Sequence, residues 1–166
     1  MAERQGQAAP DAVLTRIGQV VMLHHAGDRE EARHRLLGLW AEIGEHGDPL
    51  HRCTLAHYLA DTQDDPADEL AWDLRALTAA EEARQEAFEV TAVTALYPSL
   101  HVNLADDYLR LGRDDAARTH LRWARDTATA LADDSYGDGV WAAIGRLESR
   151  LGEGGPGAWT PPRQRP

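Results

Sequence analysis

The chain reads as an all-α protein. Apolar residues recur at helical spacing from Asp11 to Leu151, with almost no strand-like alternation. Proline stands where a first helical position falls at Asp48-Pro49, Asp65-Pro66 and Tyr97-Pro98. Two short stretches, "AGDREEA" (26–32) and "LGRDDAA" (111–117), each read as a helix end, a glycine cap and a new start.

These signals place helices at 11–25, 29–45, 49–62, 66–80, 82–94, 98–111, 115–132 and 138–152, with 66–80 and 82–94 open to being one long helix. Asp28 followed by Glu31 has the spacing of a capping box, with aspartate in the serine role. Residues 1–10 are expected to be disordered, and 11–152 to form one helical domain. Residues 153–166, rich in glycine and proline, are expected to form a disordered tail in which Trp159 is incidental.

The formal net charge is −11. Such an acidic balance speaks against non-specific binding to nucleic acid or to an anionic membrane, and suits a basic partner. A single cysteine, Cys53, rules out an intrachain disulfide and makes a reducing compartment the default. No apolar run approaches the ~18–20 residues that span a bilayer, and "MAERQGQAAPDAV" lacks the apolar core of a signal peptide. A cytoplasmic location is therefore expected. Every basic residue is arginine, and alanine is abundant, a bias expected of a GC-rich bacterial genome.

Short helices joined by glycine turns raise the question of internal repeats. Residues 102–124 carry Leu104, Ala105, Tyr108, Gly112, Ala117, Leu121 and Ala124. Small residues let two antiparallel helices approach, and large ones fill the gaps beside them. Residues 17–39 lay Val20, Leu23, Gly27, Ala32, Leu36 and Leu39 on the same frame, with Gln19 where a large apolar residue is usual. A middle unit starts with Leu55, Ala56 and Leu59, lacks the turn glycine, and continues with Ala67, Leu70, Ala71, Leu74 and Leu77. The step from Cys53 to Val102 exceeds the ~34-residue period by ~15 residues, so an extra segment near 82–93 is expected.

This pattern resembles the tetratricopeptide repeat family across residues 11–132. The resemblance implies antiparallel helix pairs stacked as a short right-handed solenoid of about three repeats. Helix 138–152, with Val140, Ile144 and Leu147 on one side, would cap it. It also implies a concave groove lined by the first helix of each pair. Cys53, His57 and Asp61 are four residues apart in turn and share a helical stripe about 80° wide. Their counterparts in the first unit are Ile17, Val21 and His25, with His24 alongside. In the third they are Val102, Asp106 and Arg110, with Leu109 alongside, and Asn103 also lines the implied groove. Ile17, Val21, Cys53 and Val102 are expected to form an apolar floor. Arg110 and Asn103 alone do not reproduce the several basic residues by which some family members hold a peptide carboxylate. A basic or amphipathic protein segment fits better, held by apolar burial and steered by negative potential.

The expected function is thus a non-catalytic scaffold or adaptor for a protein or peptide, without cofactor, and with a homodimer as a structural alternative. A second reading, from the same stripe, is a metal- or small-molecule-binding protein or an enzyme centred on Cys53, His57 and Asp61, with His24 or His25 completing a site. Against it, no CxxC or HExxH spacing is present, and no oxyanion hole or third orienting group accompanies the Cys53–His57 pair. The acidic pairs at 64–65, 106–107, 114–115 and 133–134 fall mostly at helix starts and turns, where carboxylates cap orphan N–H groups. "GEGGPG" follows a helix, the wrong context for phosphate. Trp40, Trp72, Trp123 and Trp141 are expected to pack in the core or between helices, with an outer surface for self-association as the alternative for Trp72 and Trp123.

Overall fold

A computed structural model of the chain describes residues 11–86 and 91–153. Among the described residues there are seven helices and no strand: α1 (Ala12–His25), α2 (Arg29–Ile43), α3 (Pro49–Asp61), α4 (Pro66–Glu86), α5 (Thr91–Arg110), α6 (Asp114–Ala128) and α7 (Ser135–Glu153). None of these helices is long and apolar enough to cross a membrane. The chain divides into two compact units, residues 1–93 and 94–166. The expected disorder of residues 1–10 and of the tail beyond Glu153, Trp159 included, lies outside the described residues.

The helix starts follow their carboxylates. Asp11 Oδ1 accepts from Val13 and Leu14 N–H at 3.0 and 3.1 Å, opening α1. Asp48 Oδ1 does the same for Leu50 and His51 at 2.9 and 3.3 Å, with Pro49 in the first turn of α3. Asp65 Oδ1 takes the Ala67 N–H at 2.7 Å ahead of α4. Each satisfies donors that the first turn of a helix leaves without a partner. Asp28 departs from the expected capping box: its side chain makes no cap hydrogen bond, and Glu31 pairs instead with Arg35 at 2.7 Å.

Two turns are built alike. At the end of α1, Ala26, Gly27 and Asp28 N–H groups reach the carbonyls of Met22, His24 and Leu23. At the end of α5, Leu111, Gly112 and Arg113 reach Asp107, Leu109 and Tyr108 in the same pattern. Gly27 and Gly112 have φ of 99° and 74°, the left-handed region that side chains resist. After each turn a fully buried alanine, Ala32 or Ala117, brings the second helix close. The middle turn has no such glycine. Thr62 Oγ1 and Gln63 Nε2 donate to the Leu59 carbonyl at 2.7 and 3.1 Å, so side chains close the end of α3.

In the first unit, α1 packs on α2 and α3, α2 on α3, and α4 lies closely along α3. Ile17, Val20, Val21, Ala32, Leu36, Leu39, Leu55 and Leu59 form one core cluster. Trp40 and Trp72 meet edge to face beside it, centroids 5.0 Å apart. Polar ties at both ends set the register. Asp11 Oδ2 meets His51 Nε2 at 2.6 Å, joining the starts of α1 and α3. Arg29, at the start of α2, meets Asp64 at 2.8 Å and donates to the Gln63 carbonyl, joining the turn after α1 to the turn after α3. Start meets start and end meets end, so α1 and α3 run parallel, side by side.

Two expectations change. Pro98 is not a first helical position. It lies within α5 and is fully buried, between Tyr97 and Leu100, which are 7% and 1% exposed. Burying this apolar run outweighs the one backbone hydrogen bond that proline cannot donate to residue 94. Along α4 the register differs from the repeat frame: Ala67, Ala71 and Leu74 face solvent, while Ala76, Ala79, Ala80 and Ala83 are buried. An alanine stripe lets α4 approach its neighbour more closely than leucine would. The extra segment is taken up largely as helix, since α4 runs to Glu86 and α5 starts at Thr91; residues 87–90 lie outside the described residues.

In the second unit, α5, α6 and α7 share a core of Ala105, Ala117, Leu121, Ala124, Val140, Ile144, Leu147 and their neighbours. Val140, Ile144 and Leu147 thus face inward, as their spacing suggested. Arg125 to Glu148, at 2.7 Å, ties α6 to α7. Trp123 and Trp141 are only partly covered by their neighbours, remaining 48% and 39% exposed.

The two matched turns give a stability test. A methyl group on Gly27, Gly112 or Gly145 would meet nothing within 4 Å, so only backbone conformation decides. Gly27→Ala and Gly112→Ala are each expected to lower the unfolding free energy by about 1–2 kcal/mol. Gly145→Ala, on an exposed position within α7, is expected to raise it by about 0.5–1 kcal/mol. Urea unfolding followed by circular dichroism measures all three; changes of one sign throughout would refute the turn assignment.

Candidate functional site

The stripe on α1 and α3 runs from interior to surface. Ile17, Val21 and Cys53 are 1%, 9% and 1% exposed. Ile17 and Val21 pack with the Leu36, Leu39, Leu55 and Leu59 core. In this conformation the expected apolar floor offers a partner no surface on the first unit. Helices stacked in a row bury more than one face, and the first two turns of the stripe fall on a second buried face. The later turns emerge: His24 and His57 are half-buried, and His25 and Asp61 are exposed. Because α1 and α3 are parallel, these polar residues lie toward the same end of the two helices.

Burial sets the chemistry of this stripe. It pushes the Cys53 thiol up from its usual 9.0 to about 12. The thiol is therefore protonated at neutral pH, the opposite of what a nucleophile or metal ligand needs. Burial also lowers the proton affinity of His57, and the nearby Asp61 charge acts against that shift. Burial thus favours the neutral imidazole of His57.

On the second unit, Val102 is half-buried against the α5–α7 core, and Asn103 is half-buried one residue on. Asp106 and Arg110 belong to a network. Arg110 meets Asp106 at 3.2 Å and Asp107 at 2.9 Å on its own helix. Arg150 reaches Asp106 from α7 at 2.8 Å. Two guanidinium groups so offset the Asp106 charge, whereas Asp107 is wholly buried. The acidic character expected of this part of the stripe is largely neutralised by its own neighbours.

Two features escaped the sequence reading. One is an open groove of about 530 Å³ between α1 and α2. Val20, Leu23 and Leu39 line it, and Gly38 widens it by having no side chain. The bidentate Arg16–Glu42 pair, both bonds 2.8 Å, borders it. Gln19, the departure from the repeat frame, also lines it and was the one signal available. The other is a group of stacked rings around His101 and His120 in the second unit. No protein-family model matches the chain, and no curated protein or solved structure does.

The buried thiol gives a direct check. Native protein at pH 8 is expected to react with a disulfide reagent at least about a thousandfold more slowly than urea-unfolded protein, because reaction must wait for opening. A folded pKa above the unfolded one means that the unfolded chain loses this proton first. Stability from this group is therefore kept below pH 9 and lost between about 9 and 12. Cys53→Ala is expected to flatten that decline in unfolding experiments run across the range; prompt labelling of the native chain would contradict the burial.

Proposed function

We propose that the chain is a non-catalytic helical scaffold that binds a protein or peptide, built on stacked hairpins of the tetratricopeptide kind. The observation that carries this reading is the parallel, side-by-side placement of α1 and α3, each the first helix of a hairpin. That is the arrangement by which such repeats present one helix per unit to a ligand. The turn that α5 and α6 share with α1 and α2 supports a third hairpin of the same design.

The partner surface on the first unit is the emergent end of the stripe, His24, His25, His57 and Asp61. On α5 the corresponding positions are Asn103, Asp106 and Arg110. The occupant is a basic or amphipathic segment. The chain's net charge of −11 steers such a segment inward, and exposed Asp61 offers it an acid at the stripe's end. A protonated, buried thiol supports the absence of nucleophilic catalysis at Cys53.

The test uses the full chain as bait in lysate of its own source cells, followed by affinity measurement on whatever protein is captured. Asp61→Arg combined with His25→Ala is expected to weaken binding roughly tenfold, more at low salt than at high, with an unchanged helical spectrum. Wild-type affinity in that variant at low salt would remove this surface from the proposal. A captured partner that is acidic rather than basic would overturn the charge argument.

A further inference from the structure

Between α5 and α6 two imidazoles stand tip to tip. His101 and His120 are 7% and 9% exposed, and their Nδ1 atoms are 3.1 Å apart. Ring centres lie 5.3 Å apart with planes 29° from parallel, so the nitrogens face one another along adjoining edges. Other rings hold both in place. Tyr97, one turn before His101 on α5, stacks on it at 6.1 Å and 21°. Tyr108 stacks on His120 at 5.4 Å and 16°. Trp123, one turn past His120 on α6, leans on both imidazoles at 5.4 and 5.2 Å.

Without a ligand, two such nitrogens share one proton: one imidazole donates its Nδ1–H, the other accepts with its Nδ1 lone pair. The spacing suits something else as well. An ion held by two imidazoles at ~2.0–2.1 Å in tetrahedral geometry sets its two nitrogens ~3.3 Å apart. We propose that His101 and His120 form a two-nitrogen site for a borderline divalent transition ion, Zn²⁺, Cu²⁺ or Ni²⁺, with water in the remaining positions. Imidazole nitrogen is the ligand type these ions favour. On binding, the ring that held its proton on Nδ1 exchanges it through solvent for one on Nε2, so that both Nδ1 lone pairs bind the ion and each neutral ring carries its single proton on Nε2.

The surroundings favour this in three ways. Burial lowers the proton affinity of His120, so at neutral pH its ring is uncharged and an ion does not compete with a second proton. The ligands come from two helices that share a packed core through Ala105, Ala117 and Leu121, so their separation is fixed before an ion arrives. Trp123, 48% exposed, places the pair just under the surface, within reach of solvent and of a hydrated ion. Cys53 is less suited to this part, since burial raises its thiol to about 12 and covers it.

The experiment takes the full chain without a histidine tag and titrates it with Zn²⁺. Long-range proton–nitrogen spectra of the histidine rings and calorimetry are recorded together. Expected are one ion per chain, saturation by about 0.1 mM Zn²⁺, and shifts concentrated on the Nδ1 atoms of His101 and His120. His101→Phe and His120→Phe, which keep a ring in the stack, are each expected to weaken binding at least tenfold. Exposed His34→Gln with His46→Gln is expected to bind as the wild type does. Cu²⁺ is expected to quench tryptophan fluorescence in the wild type and markedly less in Trp123→Phe. Absence of saturable binding, or shifts confined to other histidines, would overturn the site. So would phenylalanine variants that bind like the wild type. If either variant does not fold, the wild-type spectra decide alone. None of these readouts depends on a protein partner, so the site and the scaffold reading stand or fall separately.

Discussion

The short left-handed turn is the constraint on which the rest of the architecture depends. Three residues separate α1 from α2, and three separate α5 from α6. A connection that short leaves a helix only one place to go, back along its predecessor. A glycine at positive φ directs the chain there while the cap hydrogen bonds are still made. Once the two helices are antiparallel neighbours, a fully buried alanine at the start of the second permits close contact. The large residues then follow. Leu36 and Leu121 each gain on the order of 1.5–3 kcal/mol from burial, but only because the turn has already delivered them to the same side.

The contacts between hairpins work differently. Asp11–His51 and Arg29–Asp64 are partly exposed, with side chains 18% to 70% accessible, so each contributes at most about 1 kcal/mol. They do not hold the first unit together; the apolar cluster of α1, α2 and α3 does. Their effect is on register. Apolar surfaces slide past one another with small energy differences, whereas a carboxylate that caps its own helix and meets a histidine on the next tolerates little displacement. Asp11 does both, accepting from Val13, Leu14 and His51 together, and its carboxyl is held below the usual range by the His51 and backbone hydrogen bonds. Parallel first helices therefore follow from polar ties placed at helix ends, and the two faces left exposed at the His25–Asp61 end are a consequence of that register.

Local signals in the sequence were legible, and signals that needed a third dimension were not. Glycine turns, aspartate caps and the Pro49 and Pro66 starts were read within a residue or two, because each acts over a few neighbouring positions. Pro98 was misread for the same reason: it looks locally like a helix start, yet a helix already under way buries Tyr97, Pro98 and Leu100. Asp28 and Glu31 had capping-box spacing, but Arg35 lies within reach and competes for Glu31. The α4 register slipped because the glycine-free turn gave no marker to count from. The stripe on α3 was correct as helical geometry. What it lacked was knowledge of which faces its neighbours cover, and so Ile17, Val21 and Cys53 were assigned to a surface that burial denies them. His101 and His120 are far apart in sequence and carry no local spacing at all; only the packing of α5 on α6 brings them together.

Burial acts in opposite directions on the two kinds of ligand this chain possesses. Removing water disfavours whichever form carries charge. For the Cys53 thiol the charged form is the reactive one, so burial silences it. For an imidazole the charged form is the inert one, so burial leaves its lone pair exposed to any acceptor of electrons that arrives. The same hydrophobic packing that makes Cys53 a core residue thereby makes His120 a better donor at neutral pH than an exposed histidine. A metal-centred reading built on the Cys53 stripe would place the ion on a group whose charged form burial disfavours. The pair that burial leaves available sits between α5 and α6, facing each other across 3.1 Å.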